Sequence, residues 1–237
     1  APRASVAYKL GKGSQASVAY GIFYQNPERR YLPSPNMLDF MKATHYILQY
    51  QKVLNQQSLR LEAFYKKYDG LVKTGVSGFT EAAVSNDGFG DAKGVELFWR
   101  DKKTFKNFDY WVSYSFLDTK RDFLNFPFAI TPNFAAKHTS SVVAKKFVQK
   151  WKMNLNAAYN FASGRPYYNI RLDGGQYKFT DRGTMPSYQN VSFAINYLPF
   201  IGKDKPRSYG VYVLQISNVF NLRQTYGYQY SYNGYRK

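Results

Sequence analysis

The 237-residue sequence contains no cysteine, few histidines and no long run of apolar residues. Without cysteine the chain can form neither a disulfide nor a thiolate zinc site. A membrane-spanning helix needs about 20 consecutive, mostly apolar residues, and no stretch of the sequence approaches that length. The two histidines provide too few soft ligands for a metal site. The sequence therefore predicts neither a helical membrane protein nor a resident metal or other cofactor.

Acidic residues are also scarce, because 15 Asp and Glu stand against 33 Lys and Arg and give a formal net charge of +18. A strongly basic composition suggests nucleic acid as a possible partner. The basic residues are scattered, however, through predicted turns and along one face of predicted strands. There is no basic helix and no aromatic RNA-binding motif, so we expect no nucleic-acid partner.

Apolar and polar residues alternate through most of the chain. Between Trp151 and Phe161 the odd positions are apolar or aromatic, whereas the even positions are rich in asparagine. Successive side chains of a strand point to opposite faces, so this pattern predicts a two-faced strand. The same criterion predicts ten strands: Arg3–Leu10, Ser14–Tyr24, Ala43–Val53, Ser58–Tyr68, Gly94–Arg100, Asn107–Leu117, Thr139–Val148, Trp151–Phe161, Asn190–Tyr197 and Tyr209–Ser217.

The connections between these strands alternate between short and long. The long ones are Gln25–Lys42, Asp69–Lys93, Asp118–His138 and Ser163–Gln189. This order predicts an antiparallel up-and-down sheet with a short-turn rim and a long-loop rim. Outer-membrane barrels have short periplasmic turns and long extracellular loops, so the long loops are expected to be extracellular.

Charged residues occupy the polar faces of the predicted strands. In a soluble up-and-down barrel the apolar face points inward around a small cavity, whereas a membrane barrel turns its polar face toward a wet lumen. Aromatic residues make up 19% of the chain, and tyrosine is the most frequent of them. Tyrosine, with an apolar ring and a polar hydroxyl, suits a membrane–water interface. We predict an all-β, transmembrane antiparallel up-and-down β-barrel in the outer membrane of a Gram-negative bacterium. The candidate lumen-lining residues are Arg60, Glu62, Lys66, Glu96 and Arg100.

Three motifs make the prediction more specific. They are Gly94-Val95-Glu96-Leu97, Gly164-Arg165-Pro166-Tyr167 and Ile216-Ser217-Asn218-Val219-Phe220-Asn221. Together they resemble the barrel of TonB-dependent outer-membrane receptors over essentially the whole chain. That barrel has about 22 strands, and the ten strands here resemble the twelfth to the twenty-first.

The resemblance implies that residues 1–237 form a single partial barrel domain. The plug domain, the TonB-engaging N-terminal region, the first half of the barrel and the closing strand are then expected outside this sequence. The implied function is energised uptake, through TonB, of a bulky solute such as a chelated metal, a glycan or a peptide. The alternative is a passive outer-membrane pore or a structural barrel subunit.

Aromatic residues in the predicted long loops are candidates for contacts with a ligand or a surface lipoprotein, or for packing of loop on loop. Basic groups at the same rim suit the phosphates of lipopolysaccharide. The candidate loop residues are Phe89, Phe126, Phe128, Tyr167, Tyr168, Tyr226, Tyr228 and Tyr230.

Two arrangements raise enzymatic activity as a remote alternative. His138 and Ser140, with Asn154 or Asn156 on the next strand, resemble the Ser–His–Asn arrangement of an outer-membrane lipase. The proximity of His45 to Asp39 in the sequence is weak support for a protease. Neither makes a convincing catalytic constellation, so we expect no enzyme and no catalytic residue.

Overall fold

The structure, a computed structural model, describes residues 1–32, 38–74, 84–174, 176–202 and 208–231. Parts of the predicted connections, at 33–37, 75–83, 175 and 203–207, lie outside the described residues. The described residues contain no helix with the length and apolar character needed to span a bilayer. The strands within these described ranges are β1 Arg3–Gly11, β2 Ser14–Gln25, β3 Met41–Leu54, β4 Gln57–Lys73, β5 Ser85–Asp101, β6 Phe108–Asp122, β7 His138–Val148, β8 Met153–Ala162, β9 Pro166–Asp173, β10 Gln176–Thr184, β11 Tyr188–Tyr197 and β12 Tyr212–Ile216.

Ten of these strands form one antiparallel sheet in the order β1-β2-β3-β4-β5-β6-β7-β8-β11-β12. Each strand therefore pairs with its neighbour in the chain, except that β9 and β10 form a separate hairpin between β8 and β11. This confirms the predicted all-β, up-and-down architecture and its ten strands. Within the described residues the sheet is open, because no pairing joins β1 to β12.

The register gives the sheet one apolar face and one polar face. Cross-strand partners on the apolar face form a continuous row: Val6, Val18, Leu48, Ala63, Val95 and Phe116. A parallel row on the other face consists of Gln51, Arg60, Phe98, Ser113, Ser141, Asn160 and Asn190. Val18 is 58% exposed and Leu48 is 56% exposed. The apolar face is thus open to the surroundings, as the surface of a lipid-facing barrel is.

The buried hydrophobic core is small and lies at the long-loop rim, not between two layers. Tyr31, Val72 and Val84 are its buried members, and Leu124 packs against them. Backbone bonds fix this contact, because the N–H of Leu124 donates to the carbonyl of Val72 at 2.6 Å. The ion pair of Lys73 with Asp122 lies beside it. The loops at this rim are consequently packed on the projecting ends of β4 and β6.

Several predicted boundaries were wrong. Gly94 lies in the middle of β5, because β5 already begins at Ser85 within the predicted loop. The predicted loop Ser163–Gln189 contains the β9–β10 hairpin. Trp151 lies in a short 3-10 turn, not in β8, since Lys152 adopts a left-handed conformation with φ of 52° and interrupts the extended chain.

Gly94 shows why a glycine occupies the first of the three motifs. A Cβ at this position would overlap the carbonyl oxygen of Phe116 and lie 2.7 Å from the ring of Phe64. The Phe64 ring therefore lies over the glycine of the neighbouring strand, and Lys66 lies with its Nζ 4.7 Å from the centroid of that ring. The glycine of the motif thus leaves room on the polar face for the Phe64 ring.

The two faces predict opposite responses to the same substitution. Phe193 lies on the apolar face of β11 and is 49% exposed, whereas the adjacent Ser192 lies on the polar face. If the apolar face contacts lipid, Phe193→Lys should destabilise the barrel by about 2–4 kcal/mol, since a lysine would enter hydrocarbon. Ser192→Lys is the matched control and should assemble normally. Heat-modifiable gel migration of outer-membrane fractions measures assembly, and equal assembly of both variants would contradict a lipid-facing surface.

Candidate functional site

The five candidate lumen residues lie on the same face of the sheet, on the neighbouring strands β4 and β5. Glu62 and Glu96 are direct cross-strand partners, and Arg60 lies one position along the same face from Glu62. Within the described residues no ion pair joins Arg60, Glu62 or Glu96 to an opposite charge. Their role as lining of a solute path stays a prediction.

Arg100 forms an ion pair near the short-turn rim. Its Nε donates to Oδ1 of Asp109 at 2.9 Å, and its Nη2 donates to Oδ2 at 2.6 Å. The guanidinium also lies 5.4 Å from the ring centroid of Trp111, and Lys145 lies 4.9 Å from the same ring. Arg100 is therefore held by a bidentate, charge-assisted contact, which fixes it in place.

A cavity of about 580 Å³ lies on the polar face, and we call it the polar-face cavity. Arg60 and Glu96 line one side, and hydroxyl and amide side chains of β6, β7 and β8 line its floor. Residues from the long connections cover it from above. Its lining includes Arg60, Glu96, Ser113, Ser115, Thr139, Ser141, Asn160, Arg165, Met185 and Tyr226.

The second motif shapes the cover of this cavity. A Cβ on Gly164 would overlap the carbonyl oxygen of Met185, so only glycine allows these two backbone segments to meet. The N–H of Met185 donates to the carbonyl of Arg165 at 2.9 Å. This contact closes the base of the β9–β10 hairpin and places Met185 at the cavity.

A second cavity, of about 340 Å³, lies between the long loops, and we call it the rim cavity. Met185 and Tyr226 line both cavities, so the two are adjacent. The lining of the rim cavity comes from the β6–β7 loop, the β9–β10 hairpin and the segment after β12. It includes Asn125, Phe126, Asn133, Tyr167, Tyr168, Asn169, Met185, Tyr226, Tyr228 and Tyr230.

Rings around the rim cavity contact each other across different loops. Tyr167 of the hairpin meets Tyr228 edge to face, with centroids 4.8 Å apart. The hydroxyl of Tyr230 donates to Oδ2 of Asp181 at 3.1 Å. Burial raises the pKa of the Tyr168 hydroxyl, and the nearby charge of Arg182 opposes this. The Tyr168 phenol therefore stays a neutral hydrogen-bonding group at neutral pH.

Of the remaining candidate aromatics, Phe126 also lines the rim cavity, whereas Phe128 and Phe89 do not. Phe126 packs edge to face on Phe123 with centroids 5.0 Å apart, and Phe128 packs in the same way on Phe179 of β10 at 5.4 Å. The first contact lies within the β6–β7 loop, whereas the second packs that loop on the β9–β10 hairpin. Phe89, in contrast, lies in β5 and not in a loop, and it is 52% exposed.

The third motif anchors the segment that carries Tyr226 to Tyr230. Asn218 has a φ of 50°, and its side chain accepts from the N–H of Leu222 at 3.0 Å. Its own N–H donates to Oδ1 of Asn190 at 2.9 Å. Gln224 then donates through Nε2 to the carbonyl of Gln189 at 2.7 Å. The chain after β12 is thereby turned back over the start of β11.

The residues proposed for enzymatic chemistry do not come together. His138 lies on the apolar face, where its Nδ1 is 2.8 Å from the hydroxyl of Tyr114. Asn154 and Asn156 lie on the opposite face of the sheet. His45 packs against Phe23 with ring centroids 4.6 Å apart. The residues that the structure describes also contain no group of three metal-ligating side chains.

The sequence analysis did not single out the hydroxyl and amide side chains that floor the polar-face cavity, nor the asparagines of the rim cavity. The floor residues carry a signal, because Ser113, Ser115 and Asn160 alternate with apolar residues along their strands. Asn125, Asn133 and Asn169 lie in segments without periodicity, so no sequence pattern could have selected them.

No protein-family model and no curated protein matches the sequence. Solved structures do match. The outer membrane transporter YddB from Escherichia coli is 9% identical with a TM-score of 0.74, and the match covers 98% of this chain and 38% of that protein. The ferric yersiniabactin uptake receptor FyuA from Yersinia pestis is 14% identical with a TM-score of 0.67, at 98% and 34% coverage. The ferripyoverdine receptor of Pseudomonas aeruginosa is 11% identical with a TM-score of 0.70, at 93% and 29% coverage.

The chain therefore has the fold of a large part of an outer-membrane transporter barrel. It spans about a third of the length of the proteins that it matches. The predicted resemblance to the barrel of TonB-dependent receptors is confirmed at the level of the fold.

The turn after β5 yields a prediction about pH. Asp101 ends β5 at the short-turn rim, outside the membrane-spanning part of the strand. Thr104 donates to its carboxylate through the hydroxyl at 2.6 Å and through the backbone N–H at 2.9 Å, and Gln57 donates from β4 at 2.8 Å. These bonds lower the pKa of Asp101 well below its usual value of 3.8, and the bond from the Thr104 hydroxyl has the largest effect.

A carboxylate with a lowered pKa stabilises the folded state above its unfolded pKa and loses that effect as the pH falls toward the folded pKa. Asp101→Asn should lower the thermal unfolding midpoint at pH 7. The difference from the parent should shrink as the pH falls below 3.8. Circular dichroism melts in detergent between pH 7 and pH 2 measure both midpoints. A pH-independent difference would show that the charge of Asp101 is not the source of its effect.

Proposed function

We propose that the chain is part of the barrel of a Gram-negative outer-membrane receptor that imports a bulky solute with energy delivered through TonB. The observation that carries the proposal is the pair of adjacent cavities. One lies between the long loops and the other lies on the polar face below them, and Met185 and Tyr226 line both. A solute can thus be bound at a rim and pass to the inner face of the sheet.

In this proposal the long-loop rim faces the cell exterior and the short-turn rim faces the periplasm. The ten strands are part of a larger barrel of about 22 strands, whose plug, first half and closing strand lie outside this sequence. TonB engages a region outside this sequence as well. Exposed aromatics at the long-loop rim, such as Phe89, suit contact with a surface lipoprotein. Arg60, Glu62, Lys66, Glu96 and Arg100 face the lumen.

Conductance separates this function from that of a passive pore. A receptor barrel is plugged, so the complete protein should stay closed in planar lipid bilayers in the absence of TonB and ligand. Single-channel recording of the purified complete protein measures this. A steady open conductance would overturn the receptor function and favour the passive pore.

The apolar face also has the features of a contact with lipopolysaccharide. Tyr20, Tyr46 and Tyr65 form a row across three strands, with ring centroids 5.2 Å and 6.2 Å apart. Lys93 on β5 is the direct cross-strand partner of Tyr65 and continues this row. Lys67 on β4 and Lys120 on β6 lie one same-face position further toward the long loops, and all three lysines are exposed. The lysines also form solvent-exposed ion pairs: Lys67 with Asp69 at 3.2 Å and Lys93 with Asp118 at 3.7 Å.

Such a group of lysines, at the level of the aromatic row and one position above it, suits the phosphates of lipid headgroups in the outer leaflet. Each lysine near an anionic surface contributes about 1 kcal/mol. We therefore propose lipopolysaccharide as the lipid partner of the outward face of β4, β5 and β6.

The triple variant K67Q/K93Q/K120Q should carry less lipopolysaccharide through purification and should lose most of its thermal stabilisation by added lipopolysaccharide. The control K52Q/K146Q/K150Q removes three lysines near the short-turn rim and should behave as the parent. Phosphate analysis of the purified proteins and melting with and without lipopolysaccharide measure the effect. Equal loss in both triple variants would indicate a general charge effect without a site.

A further inference from the structure

Among the residues that the structure describes, no charged side chain lines the rim cavity. This is unusual for a chain that carries 33 Lys and Arg. Phenol rings and amides line it instead, with Tyr167, Tyr228 and Asn133 among them. Its volume of about 340 Å³ falls at the lower end of the range for small-molecule sites. A ligand in this cavity is recognised by ring faces and by neutral hydrogen-bonding groups.

This chemistry disfavours a charged ligand. An anion that enters the rim cavity loses water and gains no counter-charge from the lining, which is costly. A ferric chelate that carries net negative charge would meet that cost. An uncharged ligand with many hydroxyl groups would not, because phenol hydroxyls and amides both donate and accept hydrogen bonds.

The described walls of the rim cavity also contain an amide without a hydrogen-bond partner and an exposed ring. Within the described residues, Nδ2 of Asn169 is buried and makes no hydrogen bond. Tyr226 is 70% exposed, and its ring lies 6.4 Å from that of Tyr188. An exposed ring and a buried amide in one cavity suit a sugar, since the apolar C–H face of a sugar ring stacks on an aromatic face while a hydroxyl bonds to the amide.

The polar-face cavity continues the same chemistry. Ser113, Ser141 and Asn160 are cross-strand neighbours on its floor, so hydroxyl and amide groups follow each other across three strands. Arg60 and Glu96 in this cavity carry opposite charges, and Arg165 lies at its edge. A ligand that moves from the rim cavity to the polar-face cavity therefore meets further hydroxyl and amide partners, together with these three charged side chains.

We propose that the rim cavity binds an uncharged, polyhydroxylated ligand of the oligosaccharide class, and that the polar-face cavity receives it next. The inference rests on the proposed receptor function, because it names the class of solute that this same site takes. Tyr226 and Tyr228 stack on the sugar rings, and Asn169 donates to a sugar hydroxyl.

The experiment measures binding to the complete protein in detergent by isothermal titration calorimetry. The probes are four neutral hexasaccharides (maltohexaose, cellohexaose, xylohexaose and mannohexaose) and two anionic ferric chelates (ferric citrate and ferric enterobactin). We expect binding of at least one neutral hexasaccharide and of neither chelate. Tyr226→Ala and Tyr228→Ala should each weaken that binding by about tenfold or more, as loss of a central tyrosine does.

Tyr209→Ala is the matched control, because Tyr209 is 84% exposed and belongs to the connection between β11 and β12, on the opposite rim. It should leave the affinity unchanged. The proposal is overturned if no neutral hexasaccharide binds, or if the tyrosine variants bind the sugar as the parent does. Binding of a ferric chelate alone would overturn the ligand class and leave the receptor function standing. A steady open conductance of the same preparation would overturn the receptor function itself.

Discussion

Hydrogen bonding of the backbone is the constraint on which every other feature of this chain depends. In hydrocarbon an unpaired N–H or C=O costs several kcal/mol, so a membrane-spanning sheet must pair each strand with its neighbours. From β1 to β8 and on through β11 to β12 each strand pairs with the next, whereas the outer edges of β1 and β12 have no partner strand within the described residues. Pairing by neighbours leaves both faces free, and the alternation of side chains then makes one face apolar and the other polar.

The same alternation explains why most of the fold could be predicted from the sequence. Strands such as β6 and β11 have rings or branched residues on every second position, and their register places those positions on a common face. The β9–β10 hairpin was missed because both of its faces lie outside the main sheet, so alternation gives no signal there. A signal was present in another form, since Asp173-Gly174-Gly175 separates two tyrosine-containing runs and such a sequence is typical of a hairpin turn.

The candidate site was predictable only in part. Periodicity was sufficient to place Arg60, Glu62 and Glu96 on one face, because a position within a strand fixes the face. It could not identify the partner of Arg100, since Asp109 lies across a turn whose length sets the register. The cavities depend on contacts between distant segments. Met185 reaches both of them because Gly164 permits a close backbone approach, and no local pattern encodes that approach.

The distribution of charge is a second consequence of the two-faced sheet. A net charge of +18 at first suggests an anionic ligand. Many of the lysines and arginines, however, lie in turns, on the outward face near the long loops, or in specific pairs such as Arg100 with Asp109. Others, such as Arg60 and Lys66, lie on the polar face of the sheet. In the part of the chain that the structure describes, no lysine or arginine lines the rim cavity. Net charge is therefore a poor guide to the rim cavity, whose described lining is neutral, aromatic and rich in amides. The chemistry of the site has to be read from the residues that line it, since the composition of the chain points the other way.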